Sequence, residues 1–343
     1  MTGLDAHDVG RDASTIAIFM DDRERREVET TLRLRIVGSA AGGGFPQWNC
    51  NYRLSRAARA GAAGISQRTQ SSLAASVNGR DWVLFNASPD IRQQIAQTSE
   101  LQPSADAPLR STPIRAVVLT NADVDHVAGL LTLRERQPFA IYAAAQVLAV
   151  LQANSIFNVL DPAIVPRRVL PPEGDLKICD ANGRATGVTI ESFAVPGKVA
   201  LYLEDSTLPE ADFSSDKGDT IGVRITGDNG GGSAFYIPGC ARIDGVLRSR
   251  LEGAACLLFD GTVHTNEEMI AAGVGEKTGT RMGHLAMSGE TGSIAGLASV
   301  KIGRRVFVHI NNTNPVLDEN SPEHAAVKAM GWEVAHDGME IEL

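Results

Sequence analysis

The sequence predicts an α/β (α+β) fold built as a four-layer αββα sandwich, two facing sheets with helices outside. Strand-like runs precede helix-like runs in residues 31–154, and the same order returns from Gly187 onward. Pro162, Pro166, Pro171 and Pro172 mark a connecting stretch between the two series, as prolines do where regular structure breaks. A chain of 343 residues, 43% of them hydrophobic, also carries enough apolar side chain for a sizeable core. The expectation is a single domain over 31–343, made of two βα halves joined near 155–185.

Residues 1–30 are polar without a period and are expected to be a disordered or non-native extension outside the fold. Leu32, Leu34 and Ile36 then alternate with Arg33 and Arg35, giving a first strand that ends in GSAAGGGFPQW. That loop lacks the Lys-Ser/Thr of a phosphate cradle, so its glycines predict a tight turn with close backbone approach. Ser55–Gly64, rich in Ala and Arg, reads as a short helix or a flap. RTQSSLAASV and WVLFNASPDIR flank Asn78-Gly79, a hairpin signal. Ile114–Leu119 is an apolar strand, Thr120–His126 a polar crest, and Val127, Leu130, Leu131 and Leu133 continue at helical spacing. A strand at Phe139–Tyr142 and a helix at Ala144–Ala153 close the first half. The second half brings strands in GVTIESFAVPGK, DTIGVRITG, SAFYIPGC, CLLFDGT and RRVFVHI, with helix-like segments at Asp244–Leu251, Glu267–Ala272 and Gly292–Val300.

The chemistry is expected at the crest. Asp123, Asp125 and His126 crowd four positions where a strand hands over to a helix. Carboxylate oxygen beside imidazole nitrogen suits a divalent metal, while Asp123 or Asp125 reads equally well as a helix N-cap. His309 ends an apolar strand just before Asn311, Asn312, Thr313 and Asn314, where the chain must turn. Asp260 ends another strand, and His284 lies in a glycine-flanked loop; together they suggest an acid/base pair or supports for metal ligands. One Asp and two His from separate segments would form a 2-His-1-carboxylate face with open positions, the usual arrangement for non-haem Fe(II) oxygenases.

A net charge of -9 without a Lys/Arg-rich run argues against nucleic acid and anionic membranes as partners. No apolar run approaches bilayer length, so no membrane insertion is expected, and no targeting segment is read, which makes a cytoplasmic location the expectation. Cys50, Cys179, Cys240 and Cys256 form no Cys-x-x-Cys pair.

The crest Asn-Ala-Asp-Val-Asp-His resembles the His-x-His-x-Asp-His signature of the metallo-β-lactamase fold, and YIPGC, LLFDGT, MGHLAM and FVHINN fall in the order its second half requires. The strings VGSAAGGGFPQWNC, RTQSS, NASPDIR, DHVAGLLTLRE, IPGCA, RMGH and VHINNTNPVLDENS are similar to the coenzyme PQQ (pyrroloquinoline quinone) synthesis protein B family, from about Leu32 to Leu343. Asn121 and Asp123 stand where the fold's signature would hold a first metal with histidines. Cys240 takes the position that usually bridges two metals, and Val195–Lys198 lacks the remaining histidine. The resemblance therefore implies one open-faced metal on Asp125, His126 and His309. Many members of the second family carry a Cys-x-Cys-x-x-Cys knuckle after PQWN; Cys50 is kept here beside Tyr52 and Ser55, and one thiolate cannot close a tetrahedral zinc site.

The family resemblance implies a part in making the quinone from a cross-linked Glu-Tyr unit of a precursor, by oxygen insertion into the tyrosine ring. In this reading Asp125, His126 and His309 hold Fe(II), with O2 and substrate at the open face. Asp123 orients a ligand or water, and His284 with Asp260 manages protons. Arg68, Arg92 and Arg134 offer pairing to substrate carboxylates, though each reads equally as a surface or scaffold arginine, and Asn311 is a further candidate contact. Other cofactor-biosynthesis proteins are possible partners. The alternatives are a zinc-dependent hydrolase of the same fold and a non-catalytic carrier that aids transport of the quinone.

Overall fold

A computed structural model describes residues 31–204, 218–228 and 230–343. The expected extension at 1–30 lies outside the described residues. The strands are β1 (Arg33–Gly38), β2 (Ser72–Ser76), β3 (Trp82–Phe85), β4 (Ile114–Val118), β5 (Ala140–Ala143), β6 (Arg167–Val169), β7 (Asp175–Cys179) and β8 (Ala185–Ala194), followed by β9 (Ile221–Gly227), β10 (Ser233–Ile237), β11 (Ala254–Asp260), β12 (Ile302–Val308), β13 (Glu333–Val334) and β14 (Glu340–Glu342). They form two seven-stranded sheets, β14-β1-β2-β3-β4-β5-β6 and β13-β12-β11-β10-β9-β8-β7. The helices are α1 (Arg53–Arg59), α2 (Ile91–Gln97), α3 (Val124–Val127), α4 (Ala145–Ala153), α5 (Gly245–Leu251), α6 (Glu268–Ala271), α7 (Ser293–Gly296) and α8 (Pro322–Ala329).

The period of two along each strand sorts the apolar side chains into three interfaces. Leu34, Ile36, Val83, Phe85, Ala116 and Val118 of the first sheet meet Val223, Ile225, Tyr236, Leu258, Val306 and Val308 of the second. The intervening residues turn outward. Trp82, Leu84, Val117 and Ile141 pack on Ile91 of α2 and on Val147 and Leu151 of α4. Phe235, Ile237, Leu257, Phe259 and Phe307 pack on Leu54, Leu247, Leu251 and Val327 from α1, α5 and α8. Helix, sheet, sheet, helix is the predicted sandwich. β2 and β3 pair antiparallel across the Asn78-Gly79 turn, where Gly79 has φ +68.

The sheets are joined by backbone bonds at the end that carries the crest. Ile221 N–H donates to the Thr120 carbonyl (2.9 Å), Ile310 N–H to Ser39 (2.9 Å) and Ala41 N–H to Ile310 (2.9 Å). The helix after the crest is shorter than the apolar spacing predicts. α3 stops at Val127 and a 3-10 turn follows over Ala128–Leu131. The cause is Gly129, whose N–H donates to the Ala87 carbonyl (2.9 Å) instead of continuing the helical ladder. No helix among the described residues is long and apolar enough to cross a membrane.

Candidate metal centre

His126 ends its main-chain path inside α3, where its carbonyl accepts Ala87 N–H (2.8 Å), and its ring is buried. Asn121 Oδ1 accepts from His126 Nδ1 (2.7 Å) and from Asp123 N–H (3.0 Å). That carbonyl oxygen fixes the proton on Nδ1 and leaves Nε2 as a bare acceptor. His126 Nε2 is buried without a hydrogen-bond partner and stands 3.8 Å from Asp125 Oδ2. An orphaned buried imidazole nitrogen is costly, and facing a carboxylate it has the geometry of a cation ligand.

His309 arrives from the other sheet, carried by the Ser39–Ile310 bridge. Its backbone is left-handed, φ +57, an uncommon conformation for a residue other than glycine, of the kind that clusters at functional sites. Thr262 Oγ1 lies 2.8 Å from His309 Nδ1 and 2.7 Å from Asp260 Oδ1. The hydroxyl donates to the carboxylate and accepts from the ring, so Nε2 again faces the cleft. There it meets Asp125 Oδ2 at 3.1 Å. Burial disfavours charge on both groups, but on balance Asp125 is held well below the usual carboxylate range by the charge of His126 and the His309 hydrogen bond. Burial would lower His309, yet its hydrogen bond to Asp125 raises it. His126 is pushed down, mainly by burial.

A second trio, Asp260, His284 and His309, also lies within ligand distance. Its oxygens are already spent on donors. Asp260 Oδ2 accepts Cys240 N–H (2.9 Å) and His284 Nδ1 (2.8 Å), while Oδ1 accepts Thr262 N–H (3.0 Å). Asp260 therefore orients His284 and Thr262, which leaves Asp125, His126 and His309 as the candidate metal set. Cys240 stays apart: its thiol donates to the Arg242 carbonyl (3.2 Å), and burial followed by the Asp260 charge pushes its pKa up to about 12.

A cleft of ≈ 360 Å³ opens onto part of this set, with Asn121, Asp123, Asp125, His284, His309 and Asn311 in its wall. Asp123 holds the N-cap position of α3, but no side-chain hydrogen bond caps that helix. Asn311 Nδ2 donates to Thr313 Oγ1 (2.7 Å). The arginine expectations need correction. Arg92 and Arg134 are exposed and outside the cleft, and Arg134 donates to the Leu131 carbonyl (2.8 Å). Arg92 lies in the first turn of α2 at a position its packing face does not use, and Arg134 follows the tight turn that Gly129 imposes. Arg68 is buried under the neighbouring cavity beside Asp90 and Asp337, its Nε and Nη1 unpartnered. Lys198, Lys277 and Thr262, not singled out as site residues by the sequence, do line the cleft. For Lys198 the available signal was its place in VPGK, where the fold's signature has a histidine.

Two measurements follow from this geometry. Asn121→Ala removes the group that fixes the His126 tautomer and is expected to weaken metal affinity by about 10–100-fold with the fold intact, read by competition with a chromophoric chelator. Glu268 takes Thr313 Oγ1 and His264 N–H at 2.6 Å each, and burial raises its pKa to about 7. Its folded value lies above the unfolded one, so protonation favours the fold; that stability is full at low pH and is lost as pH rises through about 7, on the order of 3 kcal/mol. Glu268→Gln should flatten this slope in urea titrations between pH 5 and 8.

The Beta-lactamase superfamily domain matches residues 81–310. A coenzyme PQQ synthesis protein B from Methylorubrum extorquens (strain PA1) is 52% identical over 312 residues, 91% of this chain and 100% of that one. Another, from Gluconacetobacter diazotrophicus, is 50% identical over 310 residues, 90% of this chain and 99% of the relative. The crystal structure of Zn(2+)-bound PqqB from Methylobacterium extorquens superposes with a TM-score of 0.85 at 51% identity, covering 91% of this chain and 100% of that chain. A diphosphatase of the PhnP family, 19% identical with a TM-score of 0.62 over 91% of this chain and 98% of its own, shares the fold.

Proposed function

This chain belongs to the coenzyme PQQ synthesis protein B family, within the beta-lactamase superfamily, and we propose that its part in making pyrroloquinoline quinone is a metal-dependent, O2-consuming hydroxylation of the tyrosine ring in a cross-linked Glu-Tyr precursor. The observation that carries the proposal is the gathering of two buried imidazole nitrogens and one carboxylate within ligand distance of one another beside the cleft, with His126 Nε2 lacking a hydrogen-bond partner. Asp125, His126 and His309 would hold Fe(II), which when bound supplies the activation of O2 that ring hydroxylation requires. Overall, a ring C–H, O2, two electrons and two protons become a ring C–OH and water, so an external two-electron donor of the thiol or ascorbate class belongs to the proposal.

The chain's own residues supply position and proton control. Asn121 and Thr262 hold the two ligand imidazoles in one tautomer. Asp260, fully buried and kept ionised despite burial by the charge and hydrogen bond of His284, accepts the Nδ1–H of His284. The Nε2 of His284 is then left to take or return a proton at the substrate phenol. Asp123, at the cleft wall, orients water or a ligand. Other proteins of the same biosynthesis are its proposed partners.

The test is anaerobic loading with Fe(II), addition of a cross-linked Glu-Tyr unit and ascorbate, then 18O2. One or two 18O atoms in the ring, absent from the Zn(II) protein, is the expected result. Zinc-dependent hydrolysis is the second reading, favoured by the zinc in the relative's crystal structure. Ester or phosphodiester cleavage by the Zn(II) protein, with no ring label from the Fe(II) protein, would replace the hydroxylase.

A further inference from the structure

We propose that Lys198 and Lys277 form a receptor for a carboxylate of the substrate, in the cleft that Asp125 and His309 also line. The inference rests on the Glu-Tyr reading only for the identity of the ligand; the receptor is read from its own geometry. Among the described residues, Lys198 and Lys277 are the lysine or arginine side chains that line the cleft, while the three arginines the sequence suggested lie elsewhere.

Both ammonium groups are already organised around a carboxylate. Glu204 Oε1 meets Lys198 Nζ at 2.6 Å, and Glu204 Oε2 meets Lys277 Nζ at 3.1 Å and Arg281 Nη1 at 3.3 Å. Three cations share one anion, which leaves local positive charge in a chain whose net charge is -9. Each ammonium has three N–H donors. Among the described residues, Lys198 spends its donors on Glu204 and weakly on the Val199 carbonyl (3.4 Å), and Lys277 on Glu204. Donors therefore remain for a second carboxylate. The acids that line the same cleft, Asp123 and Asp125, belong to the crest, and a divalent cation held there would offset Asp125.

The receptor is also held in place. A Cβ at Gly283, where φ is +86, would lie 3.0 Å from Lys198 Cγ, so the lysine stem runs against that glycine beside His284. Lys198 and Glu204 side chains are 11% and 9% exposed, Lys277 40%. A partly desolvated ammonium with a fixed stem binds a carboxylate more strongly than a free surface lysine does, and loses less side-chain entropy on binding.

The experiment uses the Zn(II)-loaded protein, so that no O2 turnover intervenes, and two probes: the dipeptide Glu-Tyr and the same dipeptide with both carboxylates converted to carboxamides. Wild type is expected to prefer the free acid by about tenfold or more, the size of one lost charge-assisted hydrogen bond. Lys277→Met, at a half-exposed site, and Lys198→Met should each cut that preference severalfold, and the double variant should bring it to within about twofold, with one zinc per chain and an unchanged far-UV spectrum. A preference that survives in the double variant overturns the receptor, as does a wild type that binds both probes alike or neither. Because the readout is binding, its failure is distinct from failure of the hydroxylase: ring labelling by the Fe(II) protein can hold while the receptor falls, and the reverse.

Discussion

His309→Ala is expected to abolish metal retention and ring hydroxylation together. His309 belongs to both ligand trios, and its Nε2 is the contact that draws Asp125 from the first sheet to the second. Removing it leaves one imidazole and one carboxylate, too few to hold a divalent ion against buffer. The loss in affinity should exceed the 10–100-fold typical of residues that only orient a ligand, so metal content after desalting should fall from one per chain to near zero. The fold should survive, since His309 packs at the cleft rather than in any of the three apolar interfaces, and alanine meets the same left-handed φ at a cost of order 1 kcal/mol. Metal analysis beside a urea titration checks both halves of the statement. A variant that keeps one metal per chain would move the centre away from Asp125 and His126.

Gly129→Ala should have the largest effect on the crest from the smallest chemical change. A Cβ there would come within 2.1 Å of the Ser88 carbonyl oxygen and 2.7 Å of the Ala87 oxygen, both backbone atoms that cannot swing aside. The strand-end loop Ala87–Ser88 and the turn after α3 must separate, which breaks the Gly129-to-Ala87 and Ala87-to-His126 hydrogen bonds on which the His126 ring position depends. The expected cost is about 3 kcal/mol, the upper end of ordinary overpacking, with metal affinity lowered in the same variant. Unfolding and metal binding measured on one sample separate the two effects; an alanine variant as stable and as metal-competent as wild type would refute the account of how the crest is held.

Much of this was legible from residue order because strands announce themselves by alternation and polar residues at their ends have few other uses. Leu34 and Ile36, like Val83 and Phe85, share the face turned to the other sheet, while the adjacent Phe307 and Val308 point to opposite faces, as their spacing requires. Asp125, His126, Asp260 and His309 each follow an apolar run, and the structure gathers them in two trios that share His309. What was not legible depends on distant backbone. The helix after the crest is cut short by Ala87, some forty residues earlier, so the apolar spacing of Leu130, Leu131 and Leu133 overstated it. An arginine's place in the chain does not say where its guanidinium ends, and Arg92 and Arg134 went to the surface while Arg68 went under a neighbouring cavity. Thr262, two residues after Asp260, carries no signal of its own in the sequence. Its hydroxyl sits between Asp260, His284 and His309, a role that exists only once both loops and the strand end have met.

The central claim is one redox-active metal held by Asp125, His126 and His309, and competition for that site tests it most directly. The apoprotein is titrated anaerobically with Fe(II) and Zn(II) together, desalted, assayed for both metals, and then given O2, ascorbate and the cross-linked Glu-Tyr unit. The account predicts a single metal per chain, lost in His309→Ala, with O2 consumed only by the iron-loaded fraction. Two zinc ions per chain with no O2 uptake by any iron-loaded protein would contradict it.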